Sequence, residues 1–190
     1  MPEVSSERRL FIPFGFEQPT TFCSNLVKLA PEATLYHLGV LSSTMHNAWV
    51  RNTCGRLKSD FRYSKDIVYN NFPWPDLPVD ATPGTPAHKA RMAIESAAQG
   101  VLDTRAQFQH GAQPSSLADL YDPLTMPPAL LKAHQKLDAA VDAAYAMSGG
   151  KKAWKNDAER VAFLFELYQR ITSLLPADKT KTRKKRTPTA

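Results

Sequence analysis

No stretch of 18 or more apolar residues occurs in this chain of 190 residues, so no membrane-crossing helix is predicted. The opening MPEVSSERRL also lacks the apolar core of a secretory leader, and a cytoplasmic protein is expected. Cysteine is scarce. Cys23 and Cys54 are far apart and in no metal-ligand spacing, which argues for reduced, mostly buried thiols and against a disulfide framework or a zinc site. Catalytic signatures are missing too: no glycine-rich phosphate loop follows a strand, and HExxH, CxxC and GxSxG do not occur. His37 and His46 fall on one predicted helix, roughly 13 Å apart along its axis, too far to share a metal. Each is read as a packing or surface histidine, and Asp119 and Asp122 as helix-end and turn residues rather than an acid–base pair.

Excess positive charge is confined to two places. The net charge is +6, but residues 178–190 carry six Lys/Arg against Asp178, which leaves +1 for the rest of the chain. That tail, DKTKTRKKRTPTA, has almost nothing to bury and is expected to be disordered, either strengthening non-specific phosphate binding or simply solvated. The second place is Arg51 to Lys65, where Arg51, Arg56, Lys58, Arg62 and Lys65 face one acid, Asp60, with Phe61 and Tyr63 between them. Cations and planar side chains held together on a short, turn-broken stretch suit a polyanion.

Periodicity predicts an α+β chain: a small mixed strand/helix segment, then an all-α helical bundle, then the disordered basic tail. Arg9–Phe16 and Thr21–Leu29 read as short strands paired across a turn at 17–20, incomplete as a sheet because a lone hairpin is marginal in water. Ala33–Cys54 reads as one helix with Leu38, Leu41, Met45, Ala48 and Trp49 on its inner face and Gly55 as its C-terminal glycine. Asn70-Asn71-Phe72-Pro73-Trp74-Pro75 ends the first part, with Trp74 as a large anchor. Residues 78–86 read as a proline-containing linker, separating a domain at 1–77 from a helical domain at 87–177. Helices are expected from Ala87 to Phe108 with a stop at Gly111, from a Ser115 or Ser116 cap to Tyr121, and from Pro127-Pro128 to Met147 with Gly149-Gly150 as its end. The last helix starts at Asn156, with Val161, Leu164, Phe165, Tyr168 and Ile171 on one face. The helical part is nearly neutral, as suits packing more than nucleic-acid contact.

Three peptides, GRLKSDFRYSKDIVYNNFPWP, SLADLYDPLTMPPALLKAHQKLDAAVDAAY and NDAERVAFLFELYQRITS, resemble the C-terminal portion of the MmeI-like DNA methyltransferases, the bacterial type IIL restriction–modification enzymes. The resemblance runs from Val4 to Ser173. It implies a target-recognition domain through NNFPWP, a C-terminal helical domain after it, and double-stranded DNA as partner. It also implies S-adenosylmethionine and adenine-N6 methylation in the full-length enzyme, with no cofactor bound by this chain. Neither an S-adenosylmethionine glycine motif nor an NPPY-type tetrapeptide is present, so a methyltransferase catalytic domain would be supplied N-terminally or by another chain. With Met1 just before a family-internal motif, the chain is expected to be a truncated gene, a separate specificity piece or an excised part.

In that family a pair of side chains two residues apart after GRL sets the choice of base at one position, and the matching pair here is Lys58 and Asp60. Lysine can donate to the guanine O6/N7 edge and aspartate can accept from the cytosine amine, whereas the plainer alternative is a surface ion pair. Arg51, Arg56, Arg62, Ser64 and Lys65 are the expected backbone contacts, with Ser5, Ser6, Arg8 and Arg9 a second set. Two other readings stay open: a non-enzymatic helical module that docks a partner protein through Trp74 and the bundle, and an inactive remnant of the methyltransferase.

Overall fold

The computed structural model describes residues 1–110 and 113–173, so the expected stop at Gly111 and the tail at 178–190 lie outside the described residues. The α+β class holds: a three-stranded antiparallel sheet in the order β1-β3-β2 sits beside six α-helices among the described residues. β1 is Val4–Ser5, β2 Gly55–Leu57 and β3 Asp60–Arg62.

These strands are not the expected ones. Arg9–Phe16 forms no strand, and Thr21–Leu29 does not pair with it. Phe11 and Ile12 are adjacent and both buried, a pattern that period-two alternation does not produce. Side chains serve this segment in place of a ladder. The Ile12 N–H donates to Asn47 Oδ1 at 3.2 Å, the Phe14 carbonyl accepts from buried Arg105, and the Phe11 ring stacks on His134 at 4.1 Å. The second segment instead meets the first residues of the chain: the Glu3 N–H donates to Leu26 O and the Lys28 N–H to Met1 O, both at 2.8 Å.

Ala33–Cys54 is two helices rather than one, α1 (Leu35–Leu41) and α2 (Thr44–Thr53). The apolar period runs through the break, but Ser43 turns the backbone to ψ 159 and caps α2. Its Oγ accepts from the His46 N–H at 3.3 Å and donates to the Val40 carbonyl at 2.7 Å. Asp138 reinforces this end, accepting from the Thr44 N–H at 2.6 Å and the Thr44 hydroxyl at 2.7 Å, where a carboxylate also meets the positive pole of the helix. Gly55 is not a left-handed C-terminal glycine: Cys54 leaves α2 extended, at φ −74 and ψ 156, and leads directly into β2.

After β3 a wide π-type turn spans Lys65–Tyr69, and then come α3 (Pro86–Gln109), α4 (Leu117–Leu120), α5 (Pro128–Met147) and α6 (Asp157–Thr172). Side-chain oxygens of Thr85, Ser116 and Asn156 cap α3, α4 and α6. Packing of α3 on α1 depends on Gly39, because a Cβ there would stand 2.7 Å from Ile94 Cγ2. Ile94, Ala98 and Val101 form the expected buried stripe of α3, whereas Met92 is 49% exposed. On α6 the buried residues are Phe163, Leu164 and Leu167; the expected Phe165 and Ile171 are 41% and 62% exposed. The buried face is rotated towards Phe163, which packs on Tyr145 and Trp154 at ring separations of 5.9 and 5.0 Å, while Phe165 and Tyr168 reach Trp49 of α2 at 5.1 and 6.1 Å from the margin of that face.

A single hydrophobic cluster runs from Phe11 and Trp49 through Phe72 and Ile94 to Leu130 and Leu164. Polar contacts cross the 78–86 segment as well. The Tyr145 hydroxyl donates to Pro73 O at 2.8 Å, and the Asp76 N–H to Ser148 Oγ at 2.9 Å. NNFPWP is thereby pinned to α5. No helix among the described residues is long and apolar enough to cross a membrane.

Candidate nucleic-acid interface

Leu57 pairs with Asp60, so β2 and β3 are joined by a turn of two residues, Lys58 and Ser59. Lys58 has φ 58, in the left-handed region that favours glycine, at a cost of roughly 1–2 kcal/mol for a residue with a side chain. Such conformations persist only where the surroundings over-determine them, and they concentrate at functional sites. Strand alternation divides the side chains of the sheet between two faces. Ser5, Phe61 and Arg56 stand in register on one face, where Ser5 and Phe61 are buried; Leu57, Asp60 and Arg62 take the other. The sheet rests on α2 through buried Tyr63, whose hydroxyl lies 3.0 Å from His46 Nε2. Burial drives the His46 pKa down to about 3, so this histidine is a neutral packing group.

The predicted residues separate by what holds them. Lys58 is exposed and Asp60 half-buried, and neither side chain makes a hydrogen bond or ion pair among the described residues. The surface ion pair between them does not form. Arg56 donates to the Ser59 carbonyl at 2.8 Å, lies over the Phe61 ring at 4.2 Å and reaches Glu7 at 3.4 Å. Arg62 pairs with Glu3 at 3.2 Å, and Lys65 with Asp66 at 3.4 Å. Arg51 is held by Asp157 at 2.6 Å and by the Leu10 carbonyl at 3.0 Å, away from the sheet. Ser64 caps the π-type turn by accepting from the Ile67 N–H at 3.3 Å. Arg8 and Arg9 follow β1, beside Glu7, and their side chains have no partner among the described residues. Ser5 is buried, and Ser6 accepts from the Arg8 N–H at 3.3 Å.

Glu3 and Glu7 are the residues that counting charge within 51–65 missed. Hydrogen bonds from Lys28 and then Arg62 hold the Glu3 carboxyl below its ordinary range. A charge count along the chain could not find them, since Glu3 is 59 residues from Arg62 and meets it only because β1 pairs with β3. Asp119 is a helix-end residue as expected, its carboxyl acidified by the Ser116 hydroxyl and N–H. Cys23 and Cys54 are free and half-buried. Among the described residues no three His, Cys, Asp or Glu could hold a metal.

Known proteins share this architecture. Residues 1–76 match the family model for the MmeI target recognition domain, and residues 86–176 match that for the MmeI C-terminal domain. DNA methyltransferase A of Bacillus subtilis (strain 168) is 41% identical over 172 residues, which cover 90% of this chain and 18% of that protein. The structure of the type IIL restriction–modification enzyme MmeI in complex with DNA superposes with a TM-score of 0.78 at 47% identity, over 91% of this chain and 21% of that one. The chain thus spans about a fifth of the length of both relatives. With both domain models matched in order and almost end to end, the chain belongs to the MmeI family, as its target-recognition and C-terminal domains.

Proposed function

We propose that this chain reads a DNA sequence for an S-adenosylmethionine-dependent adenine methyltransferase of a restriction–modification system. The observation that carries the reading is the β2–β3 hairpin. It presents Lys58 and Asp60 at and beside a strained turn with their polar ends uncommitted, inside the segment that matches a target-recognition domain. Lys58 donates to the acceptor edge of a purine, Asp60 accepts from an exocyclic amine, and together they read one base pair. Arg8, Arg9 and Lys65, all free or only loosely paired, are the cations most available to phosphates. Arg51, Arg56 and Arg62 are already engaged within the chain.

Methyl transfer itself, and the S-adenosylmethionine it uses, belong in this reading to a catalytic part outside this chain. Support comes from apolar surface that a catalytic part would cover: Phe16, Phe22, Leu26 and Leu29 are 47%, 101%, 57% and 62% exposed. The decisive experiment is selection of duplexes from a randomised pool with Lys58→Gln/Asp60→Asn. Preference at one base pair is expected to fall by about 5- to 150-fold, the equivalent of a lost bidentate contact, with the other positions unchanged. An identical selected sequence would remove the pair from base readout.

A further inference from the structure

We infer that Arg56 is a brace for the recognition turn, a positioning residue for base readout rather than a phosphate contact; this rests on the function proposed above for Lys58 and Asp60. Three contacts converge on its guanidinium. Nη1 donates to the Ser59 carbonyl at 2.8 Å, closing the turn from the β2 side. The guanidinium carbon lies 4.2 Å from the centre of the Phe61 ring, directly across the ladder, and Phe61 is 4% exposed. Glu7, in the chain just after β1, stands 3.4 Å from the same nitrogen. A planar, forked cation can stack on a ring and donate at its edge together. Arg56 therefore ties β2, β3 and the chain just after β1 to the Ser59 carbonyl in the turn.

The need for such a brace is visible in the backbone. Lys58 is held at φ 58 with no glycine to relieve it, and the turn has only Ser59 besides. Without Arg56 the Ser59 carbonyl loses its side-chain donor and Phe61 its cover, and Lys58 is free to relax towards the ordinary negative-φ region. The reader side chains would remain, but their spacing would no longer be set. Arg62 is the internal contrast: it is on the opposite face, its side chain is 59% exposed, and it has one carboxylate partner and no contact with the turn.

Two readouts test this. In the chain without DNA, Arg56→Gln is expected to speed amide hydrogen exchange at Asp60 and Phe61, which lie in the ladder, at least tenfold while exchange in the helices is unchanged; Arg62→Gln should leave the turn alone. In selection from a randomised duplex pool, Arg56→Gln should weaken preference at the Lys58/Asp60 base pair about 5-fold or more, the low end of a lost base contact, and keep the wild-type dependence of affinity on salt. Arg56→Lys should behave like Arg56→Gln, since it keeps the charge but not the plane that stacks on Phe61 while its edge donates to Ser59. Overturning results are an unchanged exchange profile at 60–61, full rescue by lysine, or a salt slope reduced by about one phosphate in Arg56→Gln. A wild-type chain that selects no sequence would defeat the proposed function, while the exchange measurement would still decide whether Arg56 holds the turn.

Discussion

Lys58 combines two properties that pull in opposite directions: a left-handed backbone that suits glycine and a side chain that suits a base edge. If the side chain is there for readout, Lys58→Gly should stabilise the fold by up to about 1 kcal/mol, or roughly 2–4 °C in Tm, and lower base discrimination. Thermal unfolding and duplex selection on one preparation measure both; a variant that is more stable and equally selective would show that Lys58 reads nothing. The family resemblance nominated Lys58 and Asp60 from the sequence, and their residue types suit base edges. The sequence could not show that Arg56 and Arg62 are occupied, because their acids, Glu7 and Glu3, flank β1 and lie 49 and 59 residues earlier.

Among the secondary elements, α1 and α3 show how a helix pair is fixed by one missing side chain. Gly39 faces Ile94 Cγ2, Ala98 Cβ and the Ile94 carbonyl, at 2.7, 3.2 and 3.3 Å from where a Cβ would lie. Gly39→Ala should therefore cost about 1–3 kcal/mol through overpacking, despite the better helix propensity of alanine. Urea unfolding measures it. In an Ile94→Ala background, which removes the Cγ2, the same substitution should cost clearly less, and a double-mutant cycle with no coupling would place the strain elsewhere. Helix existence was legible from three- and four-residue periodicity, and so were the start at Asn156 and, to within one residue, the start at Ser116. The break at Ser42-Ser43 was hidden because the apolar period passes through it unchanged; its only local signal was a serine able to cap. The face of α6 was misplaced for a related reason: its helix has apolar residues over a wide arc, and Tyr145 and Trp154, distant along the chain, cover Phe163 while Phe165 stays partly exposed.

At the scale of the whole molecule, one core serves both matched domains, so urea unfolding should give one transition with coincident tryptophan fluorescence and circular dichroism. Its pH dependence follows from three buried groups. Burial lowers the pKa of His46 and His134 from 6.5 to about 3, so each stays neutral in the fold while the unfolded chain takes up a proton. Their contribution is present above about pH 6.5 and is lost progressively as pH falls towards the folded values. Asp138 acts in the other sense: burial raises its carboxyl from 3.8 to about 6, against the Thr44 hydrogen bonds that lower it. Between these two values the folded state holds a proton that the unfolded chain has released, so this contribution fades as pH rises. Stability should fall on acidification from about pH 7 to 5, and Asp138→Asn should steepen the fall between about pH 6 and 4 by close to one proton. Urea midpoints across that range check it; an unchanged slope in Asp138→Asn would mean that its carboxyl titrates normally in the fold.

By itself the sequence determined whatever depends on neighbours within a turn or two: the cap at Asn156, a serine cap at 115 or 116, the helical stripes, the basic stretch at 51–65 and the peptides that identify the family. Tertiary structure decided what depends on partners distant along the chain. Thr44 meets Asp138 across 94 residues and Arg51 meets Asp157 across 106, which divides one predicted helix into two and takes one predicted DNA contact out of the sheet's reach. The same holds for Arg9–Phe16, apolar enough for a strand yet drawn into the helices by Asn47, Arg105 and His134. A hydrogen bond or an ion pair is a property of two groups in space, and one stretch of chain carries only half of it.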